Sequence, residues 1–297
     1  MMRHYDFNIA DTVIRSDRDL VTMGLRGFKP FAMPDDTERN ADCTLHFIET
    51  LTDEQRTHTR ELSNSYVVEA DADGVFSRTK SGYLYSIKSR GDKREATLFH
   101  IDTQSNSIVT NIVCETLLDV SLLRFGLWMM FGVVLAPRGG IAIHSSAIAC
   151  NGRAAMFLGE SGTGKSTHTR LWRENIEGAK LLNDDSPILR IVDDEVRIYG
   201  SPWSGKTPCY KNVNLPIAGI CRLSQAPHNK IRPLGTIAAI GALLPSCPPQ
   251  YAHDDYLQDA ICATLGRAIR KVRVYHLECL PNGEAAHLSH NTMMGDE

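Results

Sequence analysis

The sequence predicts an α/β protein with a mixed sheet, preceded by a β-rich N-terminal region. Turn-separated strand patterns fill the first third of the chain, and a glycine-rich loop near the middle lies between a strand pattern and a helix pattern. Strand and helix patterns also alternate around that loop. With 297 residues, 42% of them hydrophobic and 23% charged, the chain has the length and composition of about two globular domains. We predict a division into residues 1–115 and 116–297.

The first region is predicted to form an antiparallel meander. Tyr5, Phe7 and Ile9 alternate with polar neighbours. Turn pairs such as Asp73-Gly74 and Ser81-Gly82 separate later strand-like runs. These runs are residues 65–70, 75–79, 83–88, 96–102 and 107–112. Residues 32–63 are less regular and predict a loop with one short helix around 51–60.

The second region is predicted to alternate strands and helices. Apolar residues recur at helical spacing over 115–135, and the apolar stretch 125–136 is expected to be a core helix, too short to cross a bilayer. The remaining predicted elements are strands at 141–150, 153–158 and 179–182 and helices at 166–175 and 254–272.

The glycine-rich loop matches the pattern G-x-x-x-x-G-K-[ST] at every fixed position. Its glycines allow backbone N–H groups to surround phosphates, and the following helix adds a positive N-terminus. Lys165 is predicted to reach the β- and γ-phosphates, and the Ser166 hydroxyl to ligate Mg²⁺. The sequence therefore predicts a nucleoside triphosphate site formed by Gly159, Glu160, Ser161, Gly162, Thr163, Gly164, Lys165, Ser166 and Thr167.

Two adjacent carboxylates follow the predicted strand 179–182. Asp184 and Asp185 are placed where side chains of an α/β sheet meet a bound ligand. One such carboxylate can hold Mg²⁺ while the other accepts the proton of an attacking hydroxyl. The residue pattern by itself does not say which carboxylate has which role.

Other motifs narrow the class of nucleotide-binding protein. The base-reading N-K-x-D motif of GTPases is not matched, because Asn229-Lys230 is followed by Ile231-Arg232. Leu223-Ser224-Gln225-Ala226 does not match the L-S-G-G-Q signature of transporter ATPases. The class that remains after these exclusions is an enzyme that transfers a phosphoryl group as a single small subunit.

Three segments resemble the catalytic domain of bacterial HPr kinase/phosphorylase and its relatives. They are His-Ser-Ser-Ala-Ile-Ala at 144–149, the run 157–166, and Leu-Leu-Asn-Asp-Asp at 181–185. The resemblance extends with gaps from about residue 117 to the C-terminus. Because that family shares its nucleotide-binding core with ATP-dependent phosphoenolpyruvate carboxykinase, the resemblance implies a carboxykinase-like P-loop fold.

The resemblance also implies roles for individual residues. It makes Asp185 the proton acceptor, Asp184 the metal-side partner and His144 a catalytic histidine. Lys206, in a loop that is similar to one in the shorter relatives, is implied to contact the γ-phosphate or the acceptor. Residues 211–216 (Lys-Asn-Val-Asn-Leu-Pro) stand where the bifunctional members have Glu-Ile-Arg-Gly-Leu-Gly, so the resemblance does not extend to phosphorylase activity or to HPr as partner.

The function expected from these observations is that of an ATP-dependent, Mg²⁺-requiring kinase. Its acceptor is expected to be a hydroxyl, a serine of a protein or peptide by resemblance; a small-molecule hydroxyl kinase and a non-catalytic ATP-sensing protein remain open. The net charge of −3 predicts no nucleic-acid partner. Eight scattered cysteines and a polar N-terminus predict a reducing cytoplasm and no membrane partner. Homo-oligomers are expected from the family.

Overall fold

The computed structural model describes residues 3–34, 37, 39–205 and 207–295. Two compact units are present: the first comprises Met1–Arg138 with Gln250–Gln258, and the second Gly139–Pro249 with Asp259–Glu297. The chain therefore divides after Arg138 rather than near residue 115. The reason is that the long apolar helix following residue 115 packs on strands of the first unit.

The first unit contains an eight-stranded sheet. Its strands lie in the order β1-β2-β3-β8-β7-β6-β5-β4. The bounds are β1 Tyr5–Ile9, β2 Thr12–Ser16, β3 Cys43–Phe47, β4 His58–Val67, β5 Ala72–Thr79, β6 Gly82–Ser89, β7 Thr97–Asp102 and β8 Ser107–Thr110. The predicted antiparallel meander corresponds to β4–β8, whereas β3 pairs in parallel with both β2 and β8. The short helix predicted at 51–60 is only α1, Asp53–Arg56.

Helix α2, Leu117–Leu135, covers β6 and β7. It begins in a capping box, because the Thr116 hydroxyl accepts from the Asp119 N–H and the Asp119 carboxylate accepts from the Thr116 N–H. The backbone approaches the sheet closely at Gly126, where a Cβ atom would lie 2.1 Å from the Phe99 ring.

The helix predicted over 115–135 is confirmed as α2, but the expectation that its apolar stretch is too short to cross a bilayer is wrong. Within the described residues, one helical stretch, Leu117–Arg138, is long and apolar enough to cross a membrane by length and composition. Its most apolar window has a mean hydropathy of 1.7, and 56% of that window is buried inside the structure.

The second unit contains a mixed sheet in the order β12-β10-β11-β15-β14-β13-β9, with β17 paired to β15 and β16 to β17. The predicted α/β class with a mixed sheet is confirmed. The strand bounds are β9 Gly140–Ala142, β10 Ser145–Cys150, β11 Arg153–Leu158, β12 Lys180–Asp185, β13 Ile188–Val192, β14 Glu195–Tyr199, β15 Asn214–Gln225, β16 Lys230–Pro233 and β17 Val274–Cys279. The helices are α3 Lys165–Asn175, α4 Thr236–Leu243, α6 Gly283–Met294 and α5 Asp255–Ala268, of which residues 255–258 belong to the first unit.

The core of the second unit lies where α3 and α6 cover this sheet. Phe157 of β11 stacks edge-on against Trp172 of α3 with ring centroids 5.6 Å apart. Leu223 of β15, Leu277 of β17 and Met293 of α6 belong to the same buried cluster. Strands β11, β15 and β17 are mutually parallel in that order, so their carboxyl ends meet at one edge of the sheet.

Candidate nucleotide-binding site

The glycine-rich loop connects β11 to α3, as predicted. Residues 154–158 of β11 are fully buried, and the strand pairs with β10 on one side and β15 on the other. Gly162 and Gly164 have φ angles of 84° and 106°, in the left-handed region that favours glycine. Gly164 is also the residue before α3, so the loop passes directly into the first turn of the helix.

The Lys165 side chain bonds to the backbone of the glycine-rich loop. Its Nζ donates to the carbonyl oxygens of Gly159, at 2.7 Å, and Glu160, at 3.1 Å. The Glu160 carbonyl also accepts from the Thr163 hydroxyl at 2.7 Å. Lys165 is buried, and this burial lowers the pKa of its ammonium below the ordinary value, although the negative charges of Asp185 and Asp184 act in the opposite direction.

The acid pair lies beside this loop. Asp184 and Asp185 are the last residues of β12, so this strand extends beyond its predicted end at residue 182. Strand β12 runs antiparallel to β10. The hydroxyl of Ser166 donates to Asp184 Oδ1 at 3.1 Å. Asp184 is buried and Ser166 exposed, and their contact joins the first turn of α3 to the end of β12.

His144 lies against the second acid of the pair. Its Nδ1 is 3.2 Å from Asp185 Oδ1, and both side chains are about half-exposed. The predicted continuous strand 141–150 is wrong, because β9 and β10 are separated at residues 143 and 144. The N–H groups of Ile143 and His144 donate to the carbonyls of Pro187 and Ser246 instead of continuing one strand.

A positioning network behind the acids was not predicted from the sequence. Buried Asn183 donates through Nδ2 to the carbonyl of Trp203 at 3.2 Å, and its Oδ1 accepts from the Ser186 N–H at 3.1 Å. The Ser204 hydroxyl donates to the Asp184 carbonyl at 3.1 Å. The only signal in the sequence was that Asn183 precedes the acid pair. Lys206, predicted in the same loop, lies outside the described residues.

The structure therefore brings together most of the predicted site residues. Residues 159–167, the acids at 184 and 185, and His144 all lie around the carboxyl end of β11. No group of three or more His, Cys, Asp or Glu side chains converges within the part of the chain that is described. A Mg²⁺ ion in a phosphoryl-transfer site needs only one or two carboxylates, because phosphate oxygens and waters supply its other ligands. Ser166 and Asp184 fit that requirement.

Comparisons with known proteins give a distant similarity to solved structures. No protein-family model matches the chain, and no curated protein does either. Among solved structures, the chain is similar to the HPr(Ser) kinase/phosphatase from Coxiella burnetii, with a TM-score of 0.30 and 10% sequence identity. The match covers 51% of this chain and 95% of that one. At this level, the similarity carries no conclusion about activity or substrate.

Proposed function

We propose that this chain is an ATP-dependent kinase that transfers the γ-phosphoryl group to a hydroxyl, with a serine of a protein or peptide as the acceptor. The observation that carries the proposal is the 3.1 Å contact between Ser166 Oγ and Asp184 Oδ1. In this contact, the hydroxyl of a residue in the phosphate-binding pattern lies against a carboxylate. A metal ion bound to a triphosphate needs both a hydroxyl ligand from that pattern and a carboxylate ligand.

The proposed roles follow from the contacts of each side chain. The loop N–H groups and the Lys165 ammonium bind the phosphates and offset their negative charge. Asp185 takes the proton of the acceptor hydroxyl while the hydroxyl oxygen bonds to the γ-phosphorus and the bond to the bridging oxygen breaks, releasing ADP. His144 orients the Asp185 carboxylate through its contact at Nδ1.

Mg²⁺ is proposed to bind to Ser166 and Asp184. When bound, it supplies positive charge that offsets the charge of the phosphates during transfer. The strand, loop and helix at 153–175, with the acids on the neighbouring side of β10, support a carboxykinase-like P-loop fold for the second unit. The serine acceptor is supported by the sequence resemblance alone.

The test is a comparison of phosphoryl transfer by four proteins. Extract of the host cell is incubated with ATP labelled at the γ-phosphate and with wild type, Lys165→Ala, Asp185→Asn or Asp193→Asn. We expect Asp185→Asn to lower transfer by about 10²–10⁴-fold and to keep ATP affinity, because only the proton acceptor is lost. Lys165→Ala should lose both phosphoryl transfer and ATP affinity. Asp193→Asn is the matched control, since Asp193 is exposed and lies in the turn after β13.

The products distinguish the proposal from the other candidates. Label on a serine of a macromolecule supports the proposed acceptor, and label only on a small molecule replaces it with a small-molecule kinase. ATP binding without any transfer identifies an ATP-sensing protein. Normal transfer by Asp185→Asn would overturn the role given to that carboxylate.

A further inference from the structure

A pocket of about 560 Å³ opens beside the glycine-rich loop, entirely within the second unit. It lies at the carboxyl ends of the parallel strands β15 and β17 and against the first two turns of α3. Such a volume is within the range of about 300–1,000 Å³ that is usual for small-molecule sites. Its polar side chains are those of Thr163, Thr167, His168 and Gln225, and its apolar side chains include Leu171 and Leu223.

One part of the wall of this pocket is apolar, and an amide lies at its edge. Leu171 and Leu223 are buried in the core of the second unit and present carbon atoms to the pocket. Gln225 is exposed, and its Nε2 donates to the Gly162 carbonyl at 3.3 Å, so its amide lies between the loop and the pocket. Among the described residues that line the pocket, none carries a carboxylate. A largely apolar wall with a few polar groups that fix orientation suits a flat heteroaromatic ring.

The pocket is continuous with the predicted phosphate site. Gly162, Thr163 and Gly164 line it and also form the loop, and Thr167 lines it directly after Ser166. A triphosphate held by the loop would thus have this pocket beside it to receive the nucleoside end. We infer that the pocket binds the adenine of ATP, an inference that rests on the proposed function and names the base of its substrate.

The chemistry of the lining favours adenine over guanine. A glutamine amide can pair with both N6 and N7 of adenine, whereas the 2-amino group of guanine needs a further acceptor. A carboxylate would be suited to that acceptor role, and the described lining has none. We expect the wild type to bind ATP at least about tenfold more tightly than GTP, and Gln225→Ala to narrow that ratio. Equal affinity of the wild type for the two nucleotides would overturn the choice of adenine.

The main test fills the pocket with a larger side chain at a position outside the glycine-rich loop. Ala226 lines the pocket, so Ala226→Phe should weaken ATP binding at least about tenfold in calorimetry with Mg²⁺ and leave the affinity for inorganic tripolyphosphate within about twofold. Ala238→Phe is the matched control, because Ala238 is exposed on α4 and does not line the pocket. Unchanged ATP affinity in Ala226→Phe would overturn the inference.

The wild type provides a second measurement that does not depend on folding of a variant. Cys279 lines the pocket and Cys262 is exposed on α5, so alkylation of both can be followed by peptide mass spectrometry. ATP should slow alkylation of Cys279 at least about fivefold and leave Cys262 unchanged, whereas tripolyphosphate should protect neither. Equal protection of Cys279 by ATP and tripolyphosphate would overturn the base assignment and leave the proposed kinase intact. A wild type that binds neither compound would overturn both.

Discussion

Asp185 combines an unusual backbone conformation with the chemistry proposed for the site. Its φ angle is 123°, which residues with a Cβ atom rarely adopt. A β-bridge to Ser204 holds the chain at this residue, and the hydrogen bond from the Gly205 N–H to the Asp184 carbonyl, at 2.7 Å, holds it at the preceding one. Backbone strain of this kind costs about 1–3 kcal/mol and persists only where surrounding contacts enforce it.

The strain at Asp185 predicts that one substitution raises the stability of the protein and abolishes its phosphoryl transfer. Asp185→Gly should raise the free energy of unfolding by up to about 1 kcal/mol, because relief of strain exceeds the extra chain entropy of glycine. The variant should lose phosphoryl transfer, since the carboxylate is gone. Urea unfolding followed by circular dichroism measures the change.

Asp184→Gly is the matched control for that measurement. Asp184 is not among the residues with positive φ and its carboxylate accepts from Ser166, so glycine there should destabilise the protein. Equal destabilisation by the two substitutions would show that the backbone at Asp185 stores no strain.

At the scale of elements, the sequence predicted the loop and its neighbours well. Apolar residues in 153–158 and the pattern of the loop are local signals, and β11 and the start of α3 follow from them. The break at His144 has no local signal, because the carbonyls that bind the N–H groups of Ile143 and His144 belong to Pro187 and Ser246. Only tertiary structure brings those partners together.

The same limit applies to the loop that follows β14. Asn183 bonds to the carbonyls of Ser201 and Trp203, and the sequence gives no sign that an asparagine beside two acids has this structural role. Local patterns therefore predicted the glycine-rich loop and its flanking elements, whereas the residues that position the acids depend on contacts distant in sequence.

Helix α3 is joined to α6 by a buried hydrogen-bond network that is sensitive to pH. The Ser289 hydroxyl donates to the Ala286 carbonyl and accepts from Trp172 Nε1 at 2.8 Å. Its contact of 2.9 Å with His168 Nε2 therefore requires a proton on that nitrogen. Burial lowers the pKa of His168 to about 4, from an ordinary value of 6.5.

This low pKa predicts a loss of stability in weak acid. Between pH 6.5 and about 4 the unfolded chain binds a proton at His168 that the folded protein does not, so stability falls as pH is lowered. The contribution of this residue is roughly 3 kcal/mol at the lower end of the range. Urea unfolding at pH 7 and pH 4.5 should show a smaller pH effect in His168→Gln than in the wild type.

The control for that experiment is His287→Gln on α6. His287 is exposed, so this variant should keep the pH dependence of the wild type. A His168→Gln variant with the full pH dependence would mean that the buried imidazole does not control the loss.

At the scale of the whole molecule, the chain order and the compact units do not coincide. Residues 250–258 follow most of the second unit in sequence but belong to the first. Buried Tyr251 donates to the Met129 carbonyl at 2.6 Å and packs edge-on against Phe76. Buried Asp254 accepts from Arg78 Nε at 2.7 Å and from the Tyr83 hydroxyl at 2.8 Å. The division predicted at residue 115 missed this returning segment, because nothing in its sequence marks its partners.

The returning segment predicts that the first unit depends on a residue far along the chain. Tyr251→Ala should lower the free energy of unfolding by about 3–5 kcal/mol, since it leaves a cavity among buried aromatic rings and removes a donor to the Met129 carbonyl. Tyr256→Ala is the control in the same segment; Tyr256 is 54% exposed, so its loss should cost less than about 0.5 kcal/mol. Urea unfolding of both variants measures the difference. Similar losses in the two variants would show that residues 250–258 are not an integral part of the first unit.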